Sequence, residues 1–95
     1  MKYFDWDEGK NVKLKEERGI SFADIQIAFE EGRILDVIDH PNKEKYANQQ
    51  MLIVEIEDYI YLVPFIEDED KYFLKTIFPS RKMTKNYILE RRKKS

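Results

Sequence analysis

Residues 50 to 78 hold three apolar runs of strand length, "QMLIVEI", "YIYLVPFI" and "KYFLKTIF", separated only by Glu57-Asp58 and by the four residues "EDED". Connections this short leave antiparallel hairpins as the way these runs pair, so a three-strand meander is predicted. Side chains alternate between faces along a strand. In the middle run Tyr59, Tyr61, Val63 and Phe65 share one face, while Ile60, Leu62, Pro64 and Ile66 share the other. Both faces are largely apolar, so this strand should be central and covered on both sides. Tyr59 and Tyr61 are assigned to packing. Pro64 has no N–H to give a ladder, which predicts a bulge or gap beside it.

The remaining elements follow from period and punctuation. "KYFDW" at residues 2 to 6 reads as an edge strand. Asp5 with Glu8 three residues later resembles a capping box for a helix that runs to Arg18 and closes at Gly19, with only Val12 and Leu14 as apolar content. Ser21 is placed as the N-cap of a second helix with Asp24 at its third position; Phe22, Ile25 and Phe29 then repeat at helical spacing up to Gly32. "RILDVID" reads as a strand and "HPNKEKYANQQ" as an exposed loop. Ser80 caps a last helix, in which Met83 and Tyr87 fall four apart on one side and Arg81, Lys85 and Arg92 on others. The order predicts one α+β domain over residues 1–95: a small antiparallel sheet with two N-terminal helices packed on one face and a C-terminal helix, the helices grouped on one sheet face. A chain of 95 residues supports one core rather than two.

Composition narrows the classes. At 42% hydrophobic and 38% charged the chain is expected to be globular and soluble. It contains no cysteine, hence no disulfide, thiolate nucleophile or cysteine zinc site, and a cytoplasmic location is expected. The start "MKYFDWDEGK" lacks the order of a signal peptide, and no apolar run approaches the ~20 residues of a membrane span. The charge is segregated. The formal net charge is -2, yet the segment from Lys75 onward has eight Lys or Arg against Glu90 alone, leaving the first 74 residues at -9.

Such a basic end raises the question of a negative partner. Lys and Arg bind phosphate backbones through charge and counterion release. For the tail "ERRKKS", about residues 90–95, the expected reading is a solvated, frayed end whose cations suit the negative end of a helix dipole. Lys75, Arg81, Lys82 and Lys85 read differently: they sit at a strand end and on a first helical turn, where acids are usually favoured and where cations and N–H groups can converge on one anion. His40 is the only histidine, and histidine is the side chain type that changes charge near neutral pH; a lone loop histidine is also commonly a plain surface residue. Tyr46, beside Lys43 and Lys45, could stack on an RNA base or cover a sheet edge. The "EDED" tip has no glycine or calcium-loop spacing and reads as a solvated turn, so no metal site is expected. Nothing matches a P-loop, a dinucleotide fingerprint or a Ser-His-Asp set, and no small-molecule cofactor is expected.

The order and spacing of several residues resemble one family. Phe4, Trp6 and Asp7 form an opening Phe-x-Trp-Asp, followed by Lys10 and Asn11, then Gly19, Ser21 and Phe22, and at the end Arg81, Lys82, Thr84 and Lys85. This pattern, over roughly residues 3 to 87, resembles the BrnT toxins, a branch of the RelE-like ribonucleases of type II toxin-antitoxin systems. The resemblance implies a small α+β fold, a cytoplasmic toxin that cleaves RNA, most simply mRNA, and a partner antitoxin with a DNA-binding domain. RelE-like enzymes cleave without metal, through attack of a ribose 2′-OH on the neighbouring phosphate. That route needs a base, an acid and cations for the charge building on phosphorus. Arg81 and Lys82 match the family's basic pair and take the phosphate role, with Lys75 and Lys85 as helpers; Tyr87, His40 and Tyr46, in that order, are the candidates for proton transfer. Many relatives carry a Glu and an Arg before the first long strand, where this chain has Asn48, Gln49 and Gln50. Glutamine positions a phosphate but does not titrate. A second reading is therefore a RelE-like module that binds RNA or an antitoxin without cleaving, and a third is a scaffold whose tail only aids solubility.

Overall fold

Two short connections and one proline decide the centre of the molecule. The computed structural model describes residues 2–89. In chain order its elements are β1 (Tyr3–Trp6), α1 (Glu8–Arg18), α2 (Phe22–Glu30), β2 (Ile34–Asp39), β3 (Gln49–Ile56), β4 (Tyr59–Glu67), β5 (Lys71–Leu74), β6 (Phe78–Pro79) and α3 (Arg81–Thr84), which widens into a π turn over Lys85–Leu89. The strands form one six-stranded sheet in the order β1-β5-β4-β3-β2, with β6 also paired to β4. The predicted meander is present and β4 is central. Glu57 and Asp58 both adopt positive φ, 51° and 62°, as a two-residue turn between twisted strands requires.

The irregularity predicted at Pro64 is a break in the third strand. Leu74 pairs with Phe65 and Phe78 with Leu62, so three residues, 75–77, face only Val63 and Pro64. Pro64 offers only its carbonyl, which accepts from Lys75 N–H at 2.8 Å. The guanidinium of Arg18 donates to the Ile77 carbonyl, so the extra residue is tied to α1. The run 71–78, expected as one strand, is therefore two.

Three further expectations are corrected. First, the sheet is mixed, because β1 lies parallel to β5 with Tyr3 opposite Lys71 and Trp6 opposite Leu74. A hairpin forces antiparallel pairing, but β1 and β5 are separated by two helices and three strands, so no such constraint applies. Second, the cap of α1 is Asp7, whose carboxylate accepts from Gly9 N–H at 3.0 Å. Asp5 is still in the strand and accepts from Trp6 N–H at 2.9 Å and Lys71 Nζ at 3.1 Å. Third, the helices are not grouped on one face. Leu14 of α1 and Phe22, Ile25 and Ala28 of α2 pack with Leu52, Val54, Val63 and Phe65. Ile88 packs instead with Met51, Ile53, Ile60 and Leu62, the alternate residues of the same strands, with Met83 and Tyr87 against them. The C-terminal segment thus covers the opposite face, and both apolar faces of β4 are used.

The start of the chain is held by a polar network. Gly19 closes α1 at φ 69°. Asn11 accepts Phe22 N–H at 2.7 Å, linking α1 to the start of α2, and Asp24 reaches back to Ser21 N–H at 2.9 Å. Trp6 stacks on the fully buried Phe22 with centroids 5.7 Å apart.

Candidate nucleic-acid interface

The C-terminal segment is positioned by Ile60 at the start of β4. Ser80 N–H donates to the Ile60 carbonyl at 2.9 Å. The Thr84 hydroxyl accepts Ile60 N–H at 2.9 Å and donates to the Ser80 carbonyl at 2.7 Å. One threonine therefore takes the place of the strand that β6 would have continued, satisfying a buried N–H that would otherwise be orphaned. Ser80 accepts Met83 N–H at 3.1 Å, which caps the turn. This frame fixes the backbone of Arg81 to Lys85 while leaving Arg81, Lys82 and Lys85 exposed.

The pairing of charges differs along the chain. Lys2, Arg33, Lys43 and Lys71 are paired with Glu67, Glu31, Asp39 and Asp5 respectively. Among the described residues, Arg81, Lys82, Lys85 and Lys75 form no ion pair, and neither do Lys10, Lys13, Lys15 and Arg18 of α1 or Lys45; what sets the first three apart is that they share one clamped turn. Lys75 lies over the Phe73 ring with its Nζ 5.6 Å from the centroid, and Lys71 sits 5.8 Å from the same ring. Lys71 is committed, since its hydrogen bond to Asp5 holds its pKa above the usual lysine value and holds Asp5 below the usual aspartate value, with Trp6 N–H adding to the latter. Asp68 is likewise lowered, first by Asp70 N–H and then by Lys71 N–H.

A second group surrounds the loop after β2. His40 N–H donates to the Gln49 carbonyl at 3.1 Å, and His40 Nδ1 accepts Asn42 N–H at 3.1 Å, so neutral His40 carries its proton on Nε2. The His40 and Tyr46 rings are 4.3 Å apart at 36°, and Lys45 Nζ is 5.3 Å from the Tyr46 centroid. Lys43, paired with Asp39 at 3.0 Å, is the member of this group already neutralised. The result is a small aromatic and cationic platform.

The strand register keeps the two groups apart. Gln49, beside His40, is opposite Ile66, whereas Ser80 is bonded to Ile60. Six residues of β4 separate these points, about 20 Å at the rise of a strand. Lys75, bonded to Pro64, is four residues from Ile60, or about 13 Å. Tyr87 is on the same segment as Arg81 and Lys82, half-buried against the core. Among the described residues no contact joins His40 or Tyr46 to Arg81, Lys82 or Tyr87. The tail at 90–95 lies outside the described residues.

Gln49 and Gln50 begin β3 next to the platform, and alternation turns Gln50 to the face of α1 and α2, where it walls a cavity with Leu52 and Phe65. Sequence reasoning missed the Thr84 and Ser80 clamp as a positioning device. Its signal was a threonine four residues after a helix-capping serine. Among the described residues no three His, Cys, Asp or Glu are disposed to hold a metal ion, and no helix is long and apolar enough to cross a membrane.

Searches against curated proteins and against solved structures gave no match. A family model does match, that of the ribonuclease toxin BrnT of type II toxin-antitoxin systems, over residues 6–86. This span runs from Trp6, stacked on the core, through the Asn11 and Ser21 links to the cation-bearing turn after Ser80, and the chain belongs to the BrnT family of ribonuclease toxins.

Proposed function

We propose that the chain is a metal-independent endoribonuclease of the cytoplasm that cleaves RNA, mRNA foremost, by attack of the 2′-OH on the adjacent phosphate, and that a DNA-binding antitoxin neutralises it. The observation that carries this reading is the set of unpaired cations at Arg81, Lys82 and Lys85, fixed on a clamped turn within a chain of a ribonuclease family. Arg81 and Lys82 hold the scissile phosphate and offset the charge that builds on its oxygens. Lys85 and Lys75 draw the neighbouring phosphates onto the same face. In the reaction O2′ bonds to phosphorus, the bond to the 5′ oxygen breaks, the 2′-OH proton passes to water, and one proton reaches the departing oxygen. Tyr87, on the same segment as the cations, supplies the second proton. The 20 Å or so between His40 and the clamp favours a binding role for His40, Tyr46, Lys45 and Lys43, with a base stacked on the platform.

Production of the wild type and of an Arg81→Ala, Lys82→Ala variant without antitoxin tests this. The wild type should arrest growth and cut RNA, also in EDTA, and the double variant should lose cleavage by roughly 100-fold or more, the scale of a lost charge-stabilising site. Equal RNA loss with both would overturn the assignment. The non-cleaving reading is favoured by one observation, the non-titrating Gln49 and Gln50 at the start of β3. It predicts salt-dependent RNA binding without any cut, so a specific cut by the pure protein in EDTA eliminates it.

A further inference from the structure

The face of α1 and α2 carries an opening that the RNA reading does not use. A cavity of about 170 Å³ lies between Phe29 at the end of α2, Val37 of β2, Phe4 of β1 and the floor of Leu52 and Phe65. Phe29 follows the helical spacing that predicts a core residue, yet it is 51% exposed, and Val37 is 45% exposed. Phe29 does touch Phe4, edge to face at 5.1 Å, so it is the wall of a slot rather than a loose side chain. Gln50 and Glu67 line this slot and also a wider depression beside it, whose other residues include Asp39, Asp68, Glu69 and Lys2. Lys2 is already paired with Glu67, and Lys43 with Asp39, which leaves Asp68 and Glu69. An apolar slot therefore opens directly onto a basin with four carboxylates and one ammonium.

This arrangement selects its occupant by charge. A nucleic acid would bring phosphates onto carboxylates, which is unfavourable. A protein segment with a large apolar side chain beside Lys or Arg would satisfy both parts, because the apolar group leaves water while the cations meet Asp68 and Glu69, the basin carboxylates that form no ion pair. We propose that the slot walled by Phe29 and Val37, with the acidic basin at Glu67 to Glu69, is the seat of the antitoxin, entered by one large apolar side chain flanked by basic residues. The proposal rests on the reading of the chain as a type II toxin, which requires such a partner. It places the antitoxin's anchor on the sheet face opposite α3, so that antitoxin affinity and RNA cleavage are separable by mutation.

The antitoxin produced with the chain is titrated against the wild type and four variants, and RNA cleavage by each variant is measured without antitoxin. Val37→Lys should weaken antitoxin binding by about 100-fold or more, as a charge set into an apolar anchor site does. Glu69→Lys, at an exposed rim position, should weaken it about 10-fold and reduce its salt dependence. Val12→Lys is the control, since Val12 is as exposed as Phe29 at 51% but lies on α1, away from the slot; it should stay within about threefold of wild type. Arg81→Ala, Lys82→Ala should bind antitoxin like the wild type while failing to cut RNA. Undiminished binding by both Val37→Lys and Glu69→Lys, or an equal loss with Val12→Lys, overturns the seat. A dimer of the chain alone that Val37→Lys splits would make the occupant a second copy, and also overturns it. Failure of the wild type to cut RNA, with Val37→Lys still losing antitoxin, would sink the cleavage reading and leave the seat standing.

Discussion

The two faces of one sheet are built differently. Among the described residues the face under α1 and α2 buries residues from Leu14 to Ile77, contributed by two helices and the connection between them, three strands and the connection before β6. Among the described residues the opposite face buries five, and of these Ile88 is the one from the C-terminal segment. On the first face the cover is folded into the core; on the second a short, cation-bearing turn is laid over strands that are already paired. Arg81, Lys82 and Lys85 thus stand exposed on the segment with the thinnest attachment, where local opening need not unfold the rest.

Phe22→Ala gives the largest expected effect. Phe22 is fully buried, stacked under Trp6, and its backbone is bonded to Asn11. Truncation should cost about 3–5 kcal/mol in denaturant unfolding, lost in one transition because the whole core shares this residue. Ile88→Ala should cost about 2–5 kcal/mol locally. Its signature differs: hydrogen exchange should rise sharply in residues 81–89 and little in β3 and β4. If exchange rises equally across the sheet, the two faces form one cooperative unit and the contrast fails.

Much of this architecture was legible because it depends on short-range rules. The two-residue connection, the αL glycine after Arg18 and the Ser21 to Asp24 cap each act within a few residues, and the double apolar pattern of residues 59–66 marked the central strand directly. The parallel β1–β5 pair was not legible, since the direction of an edge strand is set by distant partners rather than by its own period. The cap moved from Asp5 to Asp7 because Asp5 has a competing partner in Lys71, 66 residues away. The arrangement of the proposed site residues was not legible in the sequence: a sequence that names Arg81, Lys82, Tyr87 and His40 contains no measure of the β4 length separating His40 from the rest. Phe29 had the spacing of a core residue, and only the missing cover shows otherwise. The residues carrying the family pattern at the start of the chain, Trp6, Asp7, Asn11, Gly19, Ser21 and Phe22, turn out to build the N-terminal cap and core rather than the cationic site.

Thr84→Val sharpens the contrast at the joint between the faces. Valine keeps the shape but leaves Ile60 N–H without its acceptor, at a cost of about 1–3 kcal/mol. Because the hydroxyl fixes the turn that carries Arg81 and Lys82, RNA cleavage should fall more than antitoxin binding. Equal losses in both would show that Thr84 supports the whole fold and not the turn. Ser80→Ala removes only the cap to Met83 and should cost about 1 kcal/mol with a weaker version of the same split.

Acid should act on the first strand and hardly on α3. Asp5, held by Lys71 and Trp6 N–H, and Asp68, held by the backbone of Asp70 and Lys71, both lie below the usual value of 3.8. A carboxylate with a depressed folded pKa binds its proton more readily when unfolded. Its contribution is therefore complete above 3.8 and is lost as pH falls through the lower folded value. Both groups anchor the β1–β5 edge, since Asp5 pairs with Lys71 across the strands and Asp68 shapes the turn into β5. The pairs are exposed, so the effect should be the smallest of the series. Melting temperature measured from pH 6 down to pH 2 should fall less steeply in Asp5→Asn than in the wild type, because the variant has no such proton to gain. Parallel curves for the two would show that β1 is held by Phe4 and Trp6 packing alone, and that charge organises only the basic face.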